Sequence, residues 1–313
     1  MEISNLTPAE SARLTRRVTV LSLAVASVLL ILKAIVWAAS GSVALMASMA
    51  DSGLDVLASA STFFAVRYAA SPPDAEHRFG HGKAEAFASL IQAGLVFASA
   101  ALVGQEAIRR ILEPRAVERG TWAIEVMVVS TLLTAFLIQA QTRMLRRAAS
   151  VAVASDRAHY AADLGSNLIA LIGIALASLL GLNRLDAVAG LGVTAILLWG
   201  AIAVFRQSSS QLMDRELSDE ARSKIVSLMM EDPRLKDVHQ LRTRAAGPTV
   251  HIQMHADLDP DLSLEAAHQV VVAAERRVLD AFPAADIIIH PDPRGRAEPH
   301  GGEFRESVSR VRR

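Results

Sequence analysis

The sequence predicts a polytopic α-helical membrane protein with six transmembrane helices, followed by a smaller C-terminal α+β domain. Two observations carry this. The 313 residues are 52% hydrophobic with mean hydropathy +0.32, too apolar for an ordinary soluble domain, yet 20% are charged. The charge is uneven: sparse from Val18 to Val204 and dense from Arg206 onward. That asymmetry separates a lipid-embedded region from a water-exposed one.

Six apolar segments approach the roughly 20 residues that a bilayer demands. They are Val18–Ser40, Ser42–Ala69, Ala84–Ile108, Trp122–Gln141, His159–Gly181 and Leu185–Phe205. A Gly-centred turn at Ser40–Ser42 makes the first two a hairpin. The sixth is rich in glycine at Gly190, Gly192 and Gly200, which favours close helix packing. Lys33, inside the first segment, is read as a lysine that snorkels or is paired within the bundle.

Six spans put both termini on one side. That side collects Arg13, Arg16, Arg17, Arg67, Arg78, Lys83, Arg143, Arg146, Arg147 and Arg157. The other collects Arg109, Arg110, Arg115, Arg119 and Arg184. Ten positive residues against five predict cytoplasmic termini. The N-terminus, MEISNLTPAESARLTRR, lacks the form of a cleavable signal.

After Gln211 the pattern changes. LSDEARSKIVSLMMED has helical period. DVHQLRTRAAG and PTVHIQMHADL alternate like strands joined at Gly-Pro. SLEAAHQVVVAAERRVLDAF is helical again, with Ser263 as N-cap. ADIIIHPDP is a short strand ended by prolines. The order αββαβ predicts an α+β sandwich of about 80 residues. The domains are residues 1–210, 211–296, and a disordered tail at 297–313.

Composition narrows the chemistry. Lys plus Arg equals Asp plus Glu, 32 each, so nothing points to nucleic acid. With no cysteine, any metal site must use His, Asp and Glu. No H-E-x-x-H or G-x-S-x-G signature occurs, so an enzyme is not expected.

Three groups of metal-ligand residue types stand out. Asp51 and Asp55 in the second segment, and His159 and Asp163 in the fifth, are both spaced i, i+4, one face of a helix each. An acidic side chain at a bilayer centre costs roughly 2.5–3.5 kcal/mol, so three cost on the order of 8–10 kcal/mol unless compensated. Convergence on a cation is such a compensation, and three carboxylates plus an imidazole suit a tetrahedral divalent ion. Asn167 and Ser52 are read as packing residues. Asp74, His77 and His81 follow the second segment with spacings of three and four, which allow local chelation; the alternative is a solvated loop. The last group is His239, His255, His268, His290 and Asp292. His251 and His300 are left over, and His251 is read as an exposed strand histidine.

These strings together resemble the cation diffusion facilitator family, specifically its bacterial zinc/ferrous-iron efflux branch. The resemblance rests on D-S-x-x-D (Asp51, Ser52, Asp55), HRFGHGKAEA (His77–Ala86), H-x-x-x-D (His159, Asp163), LMDREL (Leu212–Leu217), VHQLRTR and IIIHPDP. It runs from about Arg16 to Pro293. It implies a homodimer in the cell (inner) membrane with a cytoplasmic, metallochaperone-like αββαβ domain. It implies that Asp51, Asp55, His159 and Asp163 are the transport site, and Asp74, His77 and His81 the loop site. It makes His239, His255, His268, His290 and Asp292 a binuclear cytoplasmic site at the dimer interface, and Lys83 with Asp214 a charge interlock. The chain departs from the branch at Pro291, between the last His and Asp.

The resemblance implies export of a divalent cation from the cytoplasm. Because protons and metal compete for carboxylates and imidazole, exchange for H+ is expected. The imidazole favours Zn2+ over a hard cation, with Fe2+, Cd2+ or Co2+ as further substrates. No prosthetic group is expected; zinc or a similar ion is both substrate and bound regulatory metal. A membrane-embedded metal sensor without net transport is the alternative.

Overall fold

The computed structural model describes residues 6–40, 43–112, 121–180 and 184–296. The turn at 41–42, Arg115 and Arg119, and the tail at 297–313 with His300 lie outside them. The chain forms two compact units. One is Ala12–Arg146 with Ser150–Ser209; the other is Met1–Ser11, Arg147–Ala149 and Ser210–Arg313.

The first unit is helical. Its helices are α1 (Pro8–Ser40), α2 (Val43–Ala69), α3 (Ala84–Leu112), α4 (Thr121–Leu145), α5 (Val151–Leu180) and α6 (Arg184–Leu212). α1 and α5 begin well before the apolar segments that predicted them, because polar residues continue the helical turns beyond the apolar stretch. Among the described residues, four stretches are long and apolar enough to cross a membrane: Pro8–Ala39, Ala84–Arg109, Glu125–Leu145 and Gly190–Leu212. They lie on α1, α3, α4 and α6; α2 and α5 carry the ionisable pairs.

Packing within this unit follows helical periodicity. Val25, Leu29, Leu137 and Tyr160 form one buried cluster joining α1, α4 and α5. Val96, Ala100, Val193, Leu197 and Ala201 join α3 to α6. There the backbones come close: a Cβ on Gly104 would meet Thr194 Cγ2 at 3.0 Å, and one on Gly190 would meet Ala107 Cβ at 3.1 Å. Small residues at such crossings let helices approach. Gly192 and Gly200 have open space instead.

The second unit holds α7 (Asp219–Met229), β1 (Asp237–Ala246), β2 (Thr249–Leu258), α8 (Leu264–Ala281) and β3 (Ala285–Pro293). This is the predicted αββαβ order. The hydroxyls of Ser218 and Ser263 cap α7 and α8, accepting the N–H of Ala221 and Ala266. The sheet order is β1-β2-β3, with β1 antiparallel and β3 parallel to central β2. Gly247, at φ 59°, makes the β1–β2 turn in a conformation that costs glycine little.

One sheet face packs into the core, and alternation decides which. Ile252, Met254, Ala256 and Leu258 of β2 join Ile225, Met229, Val270, Ala274 and Val278 of the helices. β3 spans the predicted ADIIIHPDP string, running through Pro291 and ending at Pro293. Proline is tolerated because β3 is an edge strand, whose outer N–H groups need no ladder partner.

Candidate metal centres

The first centre joins α2 to α5. His159 Nε2 lies 3.0 Å from Asp55 Oδ1 and 3.4 Å from Asp163 Oδ2. Asp55, His159 and Asp163 each offer one ligand atom, all within 4.8 Å of one another. The i, i+4 spacing stacks His159 and Asp163 on one face of α5. Tyr160 and Ser59 share a 2.8 Å hydrogen bond that ties the same two helices together. Asp51 stands one turn before Asp55, exposed and outside this group.

A polar frame surrounds the centre. Lys33 of α1 donates to Ser52 Oγ at 2.6 Å and to the Ser48 carbonyl at 3.3 Å. Lys33 is therefore paired within the bundle, and Ser52, read as a packing residue, is its acceptor. Asp156, one turn before His159 and fully buried, accepts Gln92 Nε2 at 3.2 Å and Gln141 Nε2 at 2.8 Å. Gln141 also donates to Ser22 at 3.1 Å. This network connects α1, α3, α4 and α5. At the α5 entry, Ser150 donates to the buried Glu85 at 2.6 Å. Sequence reasoning missed Asp156, Gln92, Gln141 and Glu85. Their signal was present: buried polar residues within apolar helices, one of them a turn from a candidate ligand.

The second centre is the loop after α2. His77 Nδ1 lies 3.4 Å and His81 Nε2 3.2 Å from the two oxygens of Asp74. The rings of His77 and His81 are 4.7 Å apart. Gly80, at φ 79°, turns the chain so that His81 returns to Asp74. The backbone N–H of His77 donates to Asp74 at 2.6 Å, and that of Glu76 at 2.9 Å. The His77 bond foremost holds the Asp74 carboxyl below its usual range. All three predicted residues are together, with Asp74 and His77 exposed and His81 buried.

The third centre lies on the sheet face turned away from the helices. Register aligns His239 with His255 and His255 with His290, and two residues on, Asp237 with Asp257 and Asp257 with Asp292. A bulge between His239 and Arg242, with Gln240 at φ 51°, switches the alternation. His239 and Leu241 thus take opposite faces on either side of an extra residue. His255 Nδ1 is 2.8 Å, His290 Nε2 3.3 Å and His239 Nε2 3.5 Å from Asp292. His239, His255 and Asp292 satisfy the same 4.8 Å criterion, a donor set that fits a borderline divalent ion.

Asp257, 3.2 Å from His239, was missed, although alternation places it beside His255. His268 is exposed on α8 and outside this group. His251 is buried, not exposed, with Nδ1 3.0 Å from Asp286. It sits on the central strand, in a row between Arg244 and Asp286, so neighbours cover it on both sides. Lys83 precedes α3 in the helical unit. Asp214, at φ 56°, accepts from Arg244 at 3.2 Å in the other unit.

Known proteins match the chain along most of its length. The model of the cation efflux transmembrane domain matches residues 19–213. That of the cation efflux protein cytoplasmic domain matches residues 217–294. The cation-efflux pump FieF of Pectobacterium carotovorum subsp. carotovorum (strain PC1) is 39% identical over 285 residues, 90% of this chain and 94% of that protein. FieF of Serratia proteamaculans (strain 568) is 36% identical over 282 residues, with the same two coverages, 90% and 94%. A solved chain of CzrB in its Zn form is 32% identical, covers 28% of this chain and 99% of its own, and has a TM-score of 0.26. Two domain models end to end and relatives matched over nearly their whole length leave one conclusion: the chain belongs to the cation efflux, or cation diffusion facilitator, family.

Proposed function

We propose that this protein exports divalent metal cations from the cytoplasm, Zn2+ foremost, in exchange for protons. The observation that carries the reading is the convergence of Asp55, His159 and Asp163 from two helices of the helical unit. Ionisable groups inside a membrane are costly and mark ion paths. The relatives that match end to end are named cation-efflux pumps.

The mechanism follows from the donor chemistry. Metal binds when the carboxylates are ionised and the imidazole is neutral. Protons therefore displace metal, and metal displaces protons, at one set of atoms. Asp51, a turn away on α2, completes a four-ligand set when the helices move. Rigid-body rocking about the centre alternates its access between the two sides. For this, all six long helices cross the inner membrane, with both termini cytoplasmic.

The sheet centre serves as a cytoplasmic regulatory site in a homodimer, with His268 joining it at the subunit interface. The loop centre is a further metal site. Lys83 and Asp214 form a charge interlock that couples the two parts. The imidazole in each centre favours Zn2+, Fe2+, Cd2+ or Co2+ over a hard cation.

The test is Zn2+ flux in proteoliposomes under an imposed pH gradient. Wild type transports, and Asp55→Ala and Asp163→Ala do not. Wild-type flux in either variant would refute the site. Tight Zn2+ binding by wild type with no flux would identify a sensor instead.

A further inference from the structure

Lys33 is the only charged residue of α1 from Val18 to Ser40. It is partly buried. Two of the three donors of an ammonium are committed to α2: one to Ser52 Oγ at 2.6 Å and one to the Ser48 carbonyl at 3.3 Å. Ser52 is fully buried and belongs to the turn between Asp51 and Asp55. Asp51 and Asp55 flank that serine at one and three residues, so the ammonium is tethered in the turn that carries both acids of α2. Both bonds end on oxygens of serine residues and neither on a carboxylate.

We propose that Lys33 is a resident counter-cation of the transport centre. Tethered through Ser52, it balances the carboxylates when no metal is bound and opposes the ion when one is. Three carboxylates in a low-dielectric bundle repel one another. A neighbouring fixed positive charge relieves that repulsion without occupying a ligand position. The same charge repels an arriving divalent ion, which weakens binding and speeds release. Lys33 is thus a positioning and affinity-setting residue, and not a ligand. The inference rests on the reading of Asp55, His159 and Asp163 as the transport centre.

The experiment is the initial rate of Zn2+ uptake into proteoliposomes, with KM and kcat resolved. The proteins are wild type, Lys33→Gln, Lys33→Met, Lys33→Arg and Asp55→Ala, each checked by thermal melting. Removing the charge lowers KM about tenfold in Lys33→Gln and Lys33→Met, and lowers kcat as release slows. Lys33→Arg keeps the charge and stays within about threefold of wild type in both constants. A brace between α1 and α2 predicts the opposite sign: KM rises, or the neutral variants fail to fold. An unchanged or raised KM in the neutral variants, or their failure to fold where Lys33→Arg folds, would overturn the proposal. Asp55→Ala separates the two readings. Wild-type flux in that variant overturns the transport centre itself. Lost flux there with an unmoved KM in Lys33→Gln overturns the counter-cation alone.

Discussion

The helical centre and the sheet centre use the same donors, imidazole and carboxylate, on opposite scaffolds. On α2 and α5 the candidate ligands are i, i+4 neighbours within each helix, and two helices meet to bring Asp55 to His159. On the sheet the candidate ligands are cross-strand neighbours, His239, His255 and His290 in one row and Asp257 and Asp292 in the next. A helix pair can slide or tilt and change its ligand distances. A hydrogen-bonded ladder fixes them, because one residue of slippage would send every side chain to the other face. The difference teaches that side chains shared between two helices suit a centre proposed to release its ion, whereas side chains fixed on a ladder suit one proposed to hold it.

The largest expected effect separates the two centres. Asp163→Ala lowers Zn2+ flux by more than about 100-fold, beyond the loss typical of residues behind metal ligands. Asp292→Ala abolishes zinc binding at the sheet and leaves flux measurable. Equal losses of flux in both variants would break the distinction. Next comes Asp156→Asn, which keeps the size of the side chain but replaces one of its two acceptor oxygens with a donor facing Gln92 or Gln141. Flux falls by about 10- to 100-fold, as for residues that orient metal ligands. Unchanged flux would show that the frame around His159 is dispensable.

Periodicity explains what was legible in the sequence. The pairs Asp51/Asp55 and His159/Asp163 are local, so spacing alone placed each on a helix face. The family strings then joined them. The αββαβ order was equally plain, because the hydrophobic period alternates between helical and strand-like from one segment to the next. What stayed hidden depends on long-range register. Asp257 meets His239 only because a bulge shifts β1 against β2, and no local pattern announces that shift. His251 was misjudged for a related reason: strand position in the sheet, central or edge, decides its cover. Asp156 was overlooked because its amide partners come from α3 and α4, far away in sequence.

Smaller effects test the rigidity of the sheet unit. Arg234 grips Asp232 with Nη2 at 2.8 Å and Nε at 3.0 Å. That side-chain bond foremost holds the Asp232 carboxyl down at about 2, against about 3.9 for a free aspartate. A depressed acid stabilises the folded form above its unfolded pKa and loses that contribution as pH falls through the folded one. This part of the stability is therefore intact above about pH 4 and fades toward pH 2. Asp232→Asn should flatten acid unfolding in that window, monitored by circular dichroism. A curve as steep as that of wild type would exclude the pair as the cause. Last, Ser263→Ala removes the N-cap of α8 and costs about 1 kcal/mol in denaturant unfolding. No change would mean that the helix entry is held by packing alone.

The most direct measurement is anomalous diffraction at the zinc absorption edge from crystals of the zinc-loaded protein. A peak about 2.0–2.2 Å from oxygens of Asp55 and Asp163 and from His159 Nε2 is the result predicted here. Zinc at the loop and on the sheet face, with none between α2 and α5 under saturating metal, would contradict it.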